Sequence, residues 1–296
     1  MKILTLYTQF TPSILRRVKA PLQVLAERGH SCSFMQVENL TAGLAHNADC
    51  TILPNWILSD KEFEEYQEMA RTRTFVYDLS SPLLLLHGRV QETLQLAHLV
   101  TVPTEWLKKE VGTLHRNVQV LPSTIDLPFF LEENRVPRNG THTLGCFGPF
   151  DWDQLVKPLT WLAQRIPRLF VLAGPEAASS FRDAPFRYQE VQTSDCYQYR
   201  SAIRQCNLGL QPKDGRTQYD PIWKHEYGVY SIPTLTCFMH DPEHWAELIS
   251  NWLGDREKQA EWGHVAFLEA NGVRATQMAG EYLRVYRKKL PHSFYV

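Results

Sequence analysis

Three neighbouring pieces of the chain decide its reading: Leu208-Gly209-Leu210-Gln211-Pro212, then Trp223-Lys224-His225-Glu226-Tyr227-Gly228, then Ile232-Pro233-Thr234-Leu235. The first is a short apolar run stopped by proline, which reads as a buried strand. The second has helix-forming residues, and the third restarts an apolar strand behind a proline. A strand, an irregular polar segment, a short helix and a second strand make one turn of an α/β sheet, with the polar segment at the strands' carboxyl ends. Glu226 is expected near the start of that short helix. A carboxylate there can accept hydrogen bonds from sugar hydroxyls, while helix N-terminal amides and Lys224 suit a diphosphate. The plain alternative is a surface ion pair on a helical first turn.

The same rhythm extends through the chain. Ile3–Tyr7, Ser31–Val37, Cys50–Leu53, Thr74–Tyr77, Leu99–Val102 and Val118–Leu121 read as strands. Helical patterns separate several of them, the first carrying Ile14, Val18, Leu22 and Leu25 on one face and ending at Gly29. From Pro122 to Thr143 the periodicity lapses amid Pro122, Pro128, Pro137 and Asn139-Gly140, which reads as an interdomain connection. Strands then resume at Leu144–Phe147, Leu169–Ala173, Tyr188–Val191, Leu208–Gln211 and Thr234–Phe238, and the last fifty residues are helical. With 296 residues the chain accommodates two such units. The expected fold class is α/β, two Rossmann-like domains facing across a cleft. Residues 1–136 are expected to form the amino-terminal domain and 137–296 the carboxyl-terminal one. Ligands of open parallel sheets sit outside the carboxyl ends of the strands, where strand order reverses.

Bulk charge excludes a general polycation: 31 Lys+Arg face 32 Asp+Glu, a formal net charge of −1. The six cysteines form no CxxC pair, which argues against a zinc ribbon or a disulfide framework and for reduced, mostly buried thiols. The opening residues turn polar too soon for a signal peptide, and no apolar run approaches a membrane span; a cytoplasmic location is expected.

Several residues have the chemistry for a site. Thr8-Gln9-Phe10-Thr11-Pro12 follows the first strand and contains no GxGxxG, so a dinucleotide fingerprint is absent. Asp78, ending the strand Val76-Tyr77-Asp78, is the best-placed carboxylate for a general base, or else a helix or turn cap. Arg16 and Arg17, with Lys19, form one basic cluster; Arg284, Arg287, Lys288 and Lys289 form another on the last helix. Most such clusters are solvated faces, but both suit a phosphate-bearing acceptor. Asp151-Trp152-Asp153 has the form of a metal-binding DxD; its place before a helix favours capping, and no metal is expected.

The order of these pieces resembles the GT-B glycosyltransferases, close to their large retaining group. That group's Lys-x-x-Glu-Tyr/Phe-x-x-x-Gly-x-Pro segment is matched by Glu226, Tyr227 and Ile232-Pro233. Thr101-Val102-Pro103-Thr104-Glu105-Trp106-Leu107 and Val120-Leu121-Pro122-Ser123-Thr124-Ile125-Asp126 resemble its signature before the linker. Leu144-Gly145-Cys146-Phe147-Gly148 and Phe170-Val171-Leu172-Ala173-Gly174 resemble two of its strand ends. The resemblance implies a donor site built from Gly148, Pro149, Phe150, Lys157, Gly174, Pro212, Lys224, Glu226 and Tyr227, with Glu226 on the donor ribose. It implies that Thr8, Gln9, Phe10 and Thr11, with Arg16 and Arg17, meet the acceptor, and that the last helix returns to the first domain. The sequence departs from the pattern at Trp223, which stands where the group has lysine, and at Ser123-Thr124, which replace Asn-Gly. The implied activity is transfer of a sugar from a nucleotide-sugar, UDP- or GDP-linked, to a hydroxyl acceptor (glycan, lipid-linked or small molecule), with no permanently bound cofactor. Two alternatives stand beside it: a phage-type enzyme modifying hydroxymethylated bases in DNA, and a non-catalytic sugar-nucleotide-binding module.

Overall fold

The computed structural model describes residues 1–40, 48–134, 136, 140–148, 150–212, 222–237 and 242–289. The chain divides into two compact units, Met1–Thr124 with Ala275–Val296, and Ile125–Arg274.

In the first unit, β1 (Lys2–Tyr7), β2 (Ser31–Gln36), β3 (Cys50–Pro54), β4 (Phe75–Asp78), β5 (Leu99–Val102) and β6 (Val118–Val120) form a sheet of order β2-β1-β3-β4-β5-β6. Every pair is parallel. The central strands β3, β4 and β5 are buried at every residue, which is why they read as continuous apolar runs rather than alternating ones. Between β1 and β2 the chain runs through α1 (Pro12–Ile14), a π-helical stretch Leu15–Lys19 and α2 (Ala20–Glu27). Further helices are α3 (Asp60–Met69), α4 (Gly88–Leu96) and α5 (Glu105–Gly112). Helix α3 opens on a capping box: Ser59 accepts from the Glu62 N–H, and Glu62 accepts from the Ser59 N–H at 2.8 Å.

In the second unit, α6 (Leu127–Leu131) precedes β7 (His142–Cys146), α7 (Asp153–Arg165), β8 (Leu169–Ala173), α8 (Pro175–Phe181), β9 (Tyr188–Glu190), α9 (Cys196–Ile203), β10 (Leu208–Pro212), α10 (Ile222–Val229), β11 (Thr234–Cys237), α11 (Pro242–Gly254) and α12 (Arg256–Gly272). The sheet order is β11-β10-β7-β8-β9, again all parallel. The last helix, α13 (Ala275–Lys289), belongs to the first unit. Its Ala279, Tyr282 and Tyr286 share one buried cluster with Ile3, Val18 and Leu22. The expected return of the last helix is therefore present, fastened by Tyr282, whose hydroxyl donates to the Pro122 carbonyl at 2.8 Å.

The stretch expected to be a connection is partly core. The two units divide at Thr124–Ile125, ahead of the expected line at 136–137. Asp126 caps α6 by accepting from the Phe129 N–H at 3.2 Å. Phe130 is buried, and its carbonyl accepts from the Tyr230 hydroxyl at 2.5 Å. Arg200 is buried over the Phe129 ring and pairs with Glu132 and Glu133, which fixes α6 to α9. Of the prolines that suggested a linker, Pro128 lies in the first turn of α6, and Pro137 is outside the described residues.

Candidate functional site

The second sheet reverses direction between β7 and β10: β7 leads to β8 and β9 on one side, and β10 leads to β11 on the other. The carboxyl ends of those two strands mark its ligand-binding edge. Gly148 follows β7 with φ +114, a conformation that L side chains rarely adopt, and a Cβ there would lie 2.5 Å from the Phe150 ring. Its carbonyl accepts from the Trp152 indole N–H at 3.0 Å and from the Phe150 N–H at 3.0 Å. This turn carries the chain from β7 into α7, whose amino end therefore lies at the same edge. Gly174 plays the matching part between β8 and α8, as the residue before Pro175 at that helix's start. Pro212 is the last residue of β10 and is buried. Lys157 is exposed on α7.

Other expected donor residues have different duties. Phe150 is buried, edge-on to Trp152 at 5.6 Å, so its ring serves the core rather than a ligand. Pro149 lies outside the described residues. Tyr227 is also buried, stacked on Phe147 at 6.2 Å, with its ring over two strand glycines. A Cβ at Gly145 would come within 2.3 Å of the Tyr227 hydroxyl, and one at Gly209 within 2.8 Å of its ring. The glycines inside β7 and β10 thus make room for Tyr227. Its hydroxyl is buried without a hydrogen-bond partner among the described residues, and burial holds its pKa well above the ordinary tyrosine value.

Glu226 lies in the second turn of α10, not at its start, and its side chain is turned inward at 1 % exposure. The Tyr199 hydroxyl donates to Glu226 Oε2 at 2.6 Å, so a buried carboxylate is held by a charge-assisted bond. Lys224 faces away from it and pairs with Glu269 of α12 at 3.1 Å, which corrects the expectation of a cation free for a diphosphate. Between them, His225 is half-buried and its Nδ1 has no partner among the described residues; burial, with Lys224 beside it, lowers its pKa to about 4. Asp153 stands in the first turn of α7, where a carboxylate complements the helix dipole. Asp151 accepts from the Gln154 side chain at 2.6 Å, and the capping position itself falls to Trp152.

The first sheet reverses between β1 and β3. Thr8 and Gln9 are exposed just beyond β1, Thr11 caps α1, and the Phe10 ring lies under the Lys19 ammonium at 4.5 Å. Asp78 corrects its expectation. It is 2 % exposed and forms an ion pair with Arg17, itself 1 % exposed. Arg17 Nε donates to Asp78 Oδ2 at 3.2 Å, Thr101 Oγ1 donates to Asp78 Oδ1 at 2.6 Å, and Arg17 Nη1 donates to the Leu121 carbonyl. This ion pair joins β4, β5, the β6 exit and the π-helical stretch; the carboxylate is not presented to a substrate. Arg16 is buried too, its carbonyl accepting from the Thr124 N–H and hydroxyl. Neither arginine is a surface cation. On the last helix, Arg284 is paired with Glu281 at 2.6 Å.

One constellation was not anticipated. Asn55, at φ +50 just after β3, donates from Nδ2 to Ser80 Oγ at 2.6 Å and to Ser13 Oγ at 3.1 Å, and the two hydroxyls lie 2.8 Å apart. The Asn55 Oδ1 accepts from the Ser80 N–H at 2.8 Å. A non-glycine residue held at positive φ by three hydrogen bonds, at a switch point, is a feature to weigh as functional. The Pro54-Asn55 dipeptide at a strand end was its one sequence signal.

No family model matches the chain, and no curated protein does. Solved structures match over nearly its whole length. Sucrose-phosphate synthase from Thermosynechococcus elongatus aligns at 12 % identity over 97 % of this chain and 99 % of its own, with a TM-score of 0.64. Anabaena HepE, solved with UDP and glucose, aligns at 12 % identity over 97 % and 100 %, TM-score 0.62. An alpha-glucosyltransferase, solved with UDP and a 13-mer DNA containing a central A:G mismatch, aligns at 9 % identity over 97 % and 98 %, TM-score 0.69. What these identities and scores share with the two parallel sheets is architecture, and the chain has the GT-B fold of these glycosyltransferases.

Proposed function

We propose that the chain is a glycosyltransferase that moves a sugar from a UDP-linked donor, bound on the second unit, to a hydroxyl acceptor. The observation that carries this reading is the carboxyl edge of the second sheet, where Gly148 turns the chain between β7 and the amino end of α7, in a fold whose solved examples hold UDP. The donor's diphosphate gains negative charge as the sugar leaves. The amino ends of α7 and α8 and the exposed Lys157 supply fixed positive potential for it, since Lys224 is matched by Glu269. Glu226 anchors the donor ribose, with Tyr199 as its positioning residue. With Asp78 committed to Arg17, the proton of the acceptor hydroxyl passes to the departing phosphate oxygen as the anomeric C–O bond breaks and the new one forms. That is the proton path of a retaining transfer. The Ser13–Asn55–Ser80 trio, with Thr8 and Gln9, supplies hydrogen-bonding groups for the acceptor.

A hydroxymethylated DNA base as acceptor takes its support from the DNA held by the alpha-glucosyltransferase. Its charge argument is thinner in this chain, because Arg16 and Arg17 are buried and Arg284 is paired. A panel of UDP- and GDP-sugars with turnover read as nucleotide release tests the main reading. Release from one UDP-sugar, lost in Glu226→Gln, supports it; no binding of any donor refutes it. Donor binding without turnover under any acceptor indicates the non-catalytic module. DNA binding that weakens steeply with salt, as counterion release requires, selects the DNA acceptor.

A further inference from the structure

The second unit carries another concavity, at the opposite edge of its sheet from the proposed donor site. One cavity of about 580 Å³ is lined by His142 at the start of β7, Arg168 before β8, Asn207 before β10, and Arg256 and Gln259 of α12. A second of about 440 Å³ shares Asn207, Arg256 and Gln259 and adds His264, so the two form one trough. No aspartate or glutamate lines either cavity among the described residues, although the chain as a whole is slightly acidic.

The hydrogen-bonding capacity left in the trough is specific. Arg168 makes one long contact, Nη1 to the Gly140 carbonyl at 3.5 Å. Arg256 heads α12, whose cap is Asp255. The Asn207 Oδ1 is taken by the Thr143 N–H at 2.8 Å, which turns its amide donors to other partners. Gln259 Nε2 donates to the Trp252 and Leu253 carbonyls, which leaves its oxygen as an acceptor. Two guanidinium forks match a phosphoryl oxyanion. An amide donor and an amide acceptor beside them match hydroxyls. Strands of five residues separate this trough from the carboxyl edge by roughly 16 Å, so a phosphate here is not the donor's diphosphate.

We propose that this trough binds a small phosphorylated, hydroxyl-bearing metabolite at a site separate from the donor's. Each cavity's volume lies in the range of small-molecule sites, which favours a compact ligand over an extended polyanion.

The test is isothermal titration of the full chain, saturated with UDP and at fixed ionic strength, with glucose 6-phosphate and with inorganic phosphate. UDP binding is titrated first, so failure of the donor reading is seen separately; if UDP does not bind, the same titrations are run without it. Glucose 6-phosphate is expected to bind more tightly than inorganic phosphate. Arg168→Gln/Arg256→Gln is expected to weaken it at least tenfold, with UDP affinity held within twofold. Both arginines are exposed, so the variant keeps its fold, checked by an unchanged melting temperature. No binding, binding that the double substitution does not alter, or equal affinity for the two probes overturns the proposal. So does a single-stranded oligonucleotide that displaces glucose 6-phosphate, which would make the trough a polyanion track.

Discussion

Removing the charge of Asp78 separates two roles that the sequence alone left together. If Asp78 is a base, Asp78→Asn abolishes turnover and spares the fold. If it is the internal partner of Arg17, the same change strips a guanidinium that is 1 % exposed of its counter-ion. Breaking one side of a buried pair costs about 3–5 kcal/mol, because the remaining charge stays desolvated. That is a large share of the ~5–15 kcal/mol that holds a typical domain together. For a unit of this size each kcal/mol is worth about 2–4 °C, so the expected fall in melting temperature is about 10 °C. Urea unfolding followed by circular dichroism should show a lowered midpoint for Asp78→Asn and for Arg17→Met. The double variant Arg17→Met/Asp78→Leu should recover most of the loss, since neither charge is then stranded. UDP affinity, which the proposed function places on the second unit, should not change. An Asp78→Asn protein with wild-type urea midpoint and turnover reduced a hundredfold or more would refute the structural assignment and restore the general base.

Other outcomes follow from the same geometry. Gly148→Ala forces a Cβ into φ +114 against Phe150 and should cost about 1–3 kcal/mol and weaken UDP binding, both measurable by melting and titration. Gly145→Ala meets the Tyr227 hydroxyl and Cys206 sulfur and should destabilise by about 1–3 kcal/mol through overpacking, seen as a lowered melting temperature. His225 is held neutral in the fold, with its pKa moved from 6.5 to about 4, so the unfolded chain binds more protons between those values. Stability should be level above about pH 6.5 and fall as pH drops toward 4, and His225→Gln should flatten that slope in a pH series of unfolding midpoints. Tyr199→Phe removes the donor to Glu226 and should raise the KM for the UDP-sugar several-fold while leaving acceptor KM unchanged, whereas a merely structural role would not favour the donor.

The strands were legible because burial on both faces writes itself as a short apolar run. Leu99–Val102 and Leu169–Ala173 have the boundaries read from the sequence, and most others lie within two residues. The stretch Pro122–Thr143 does contain the division between the units, but α6 within it was missed because it is a single turn, too short for periodicity, and is stabilised by Arg200 some seventy residues on. Arg16 and Arg17 read as a surface cluster because sequence adjacency shows charge but not its partner. The five consecutive buried residues Ile14–Val18 cross into a π-helical segment that no periodicity announces. The burial of the cysteines was legible from their apolar neighbours: Cys50, Cys146, Cys196 and Cys206 are buried, and burial, the largest cause, pushes the Cys50 thiol up to about 12.

Among the described residues no helix is long and apolar enough to cross a membrane. By itself the sequence determined two parallel α/β sheets and the glycines and prolines that end their strands, because hydrophobic period and backbone restriction are local properties. Tertiary structure alone decided which polar groups are withdrawn into internal pairs. Asp78, Arg17 and Tyr227 have the chemistry of a site, yet partners brought from other elements turn them into internal fastenings. Asn55, Ser13 and Ser80, ordinary in sequence, become a joined set only when α1 and the segments after β3 and β4 meet at one sheet edge. A side chain's function depends on what desolvates it and what it is bonded to, and both come from distant residues.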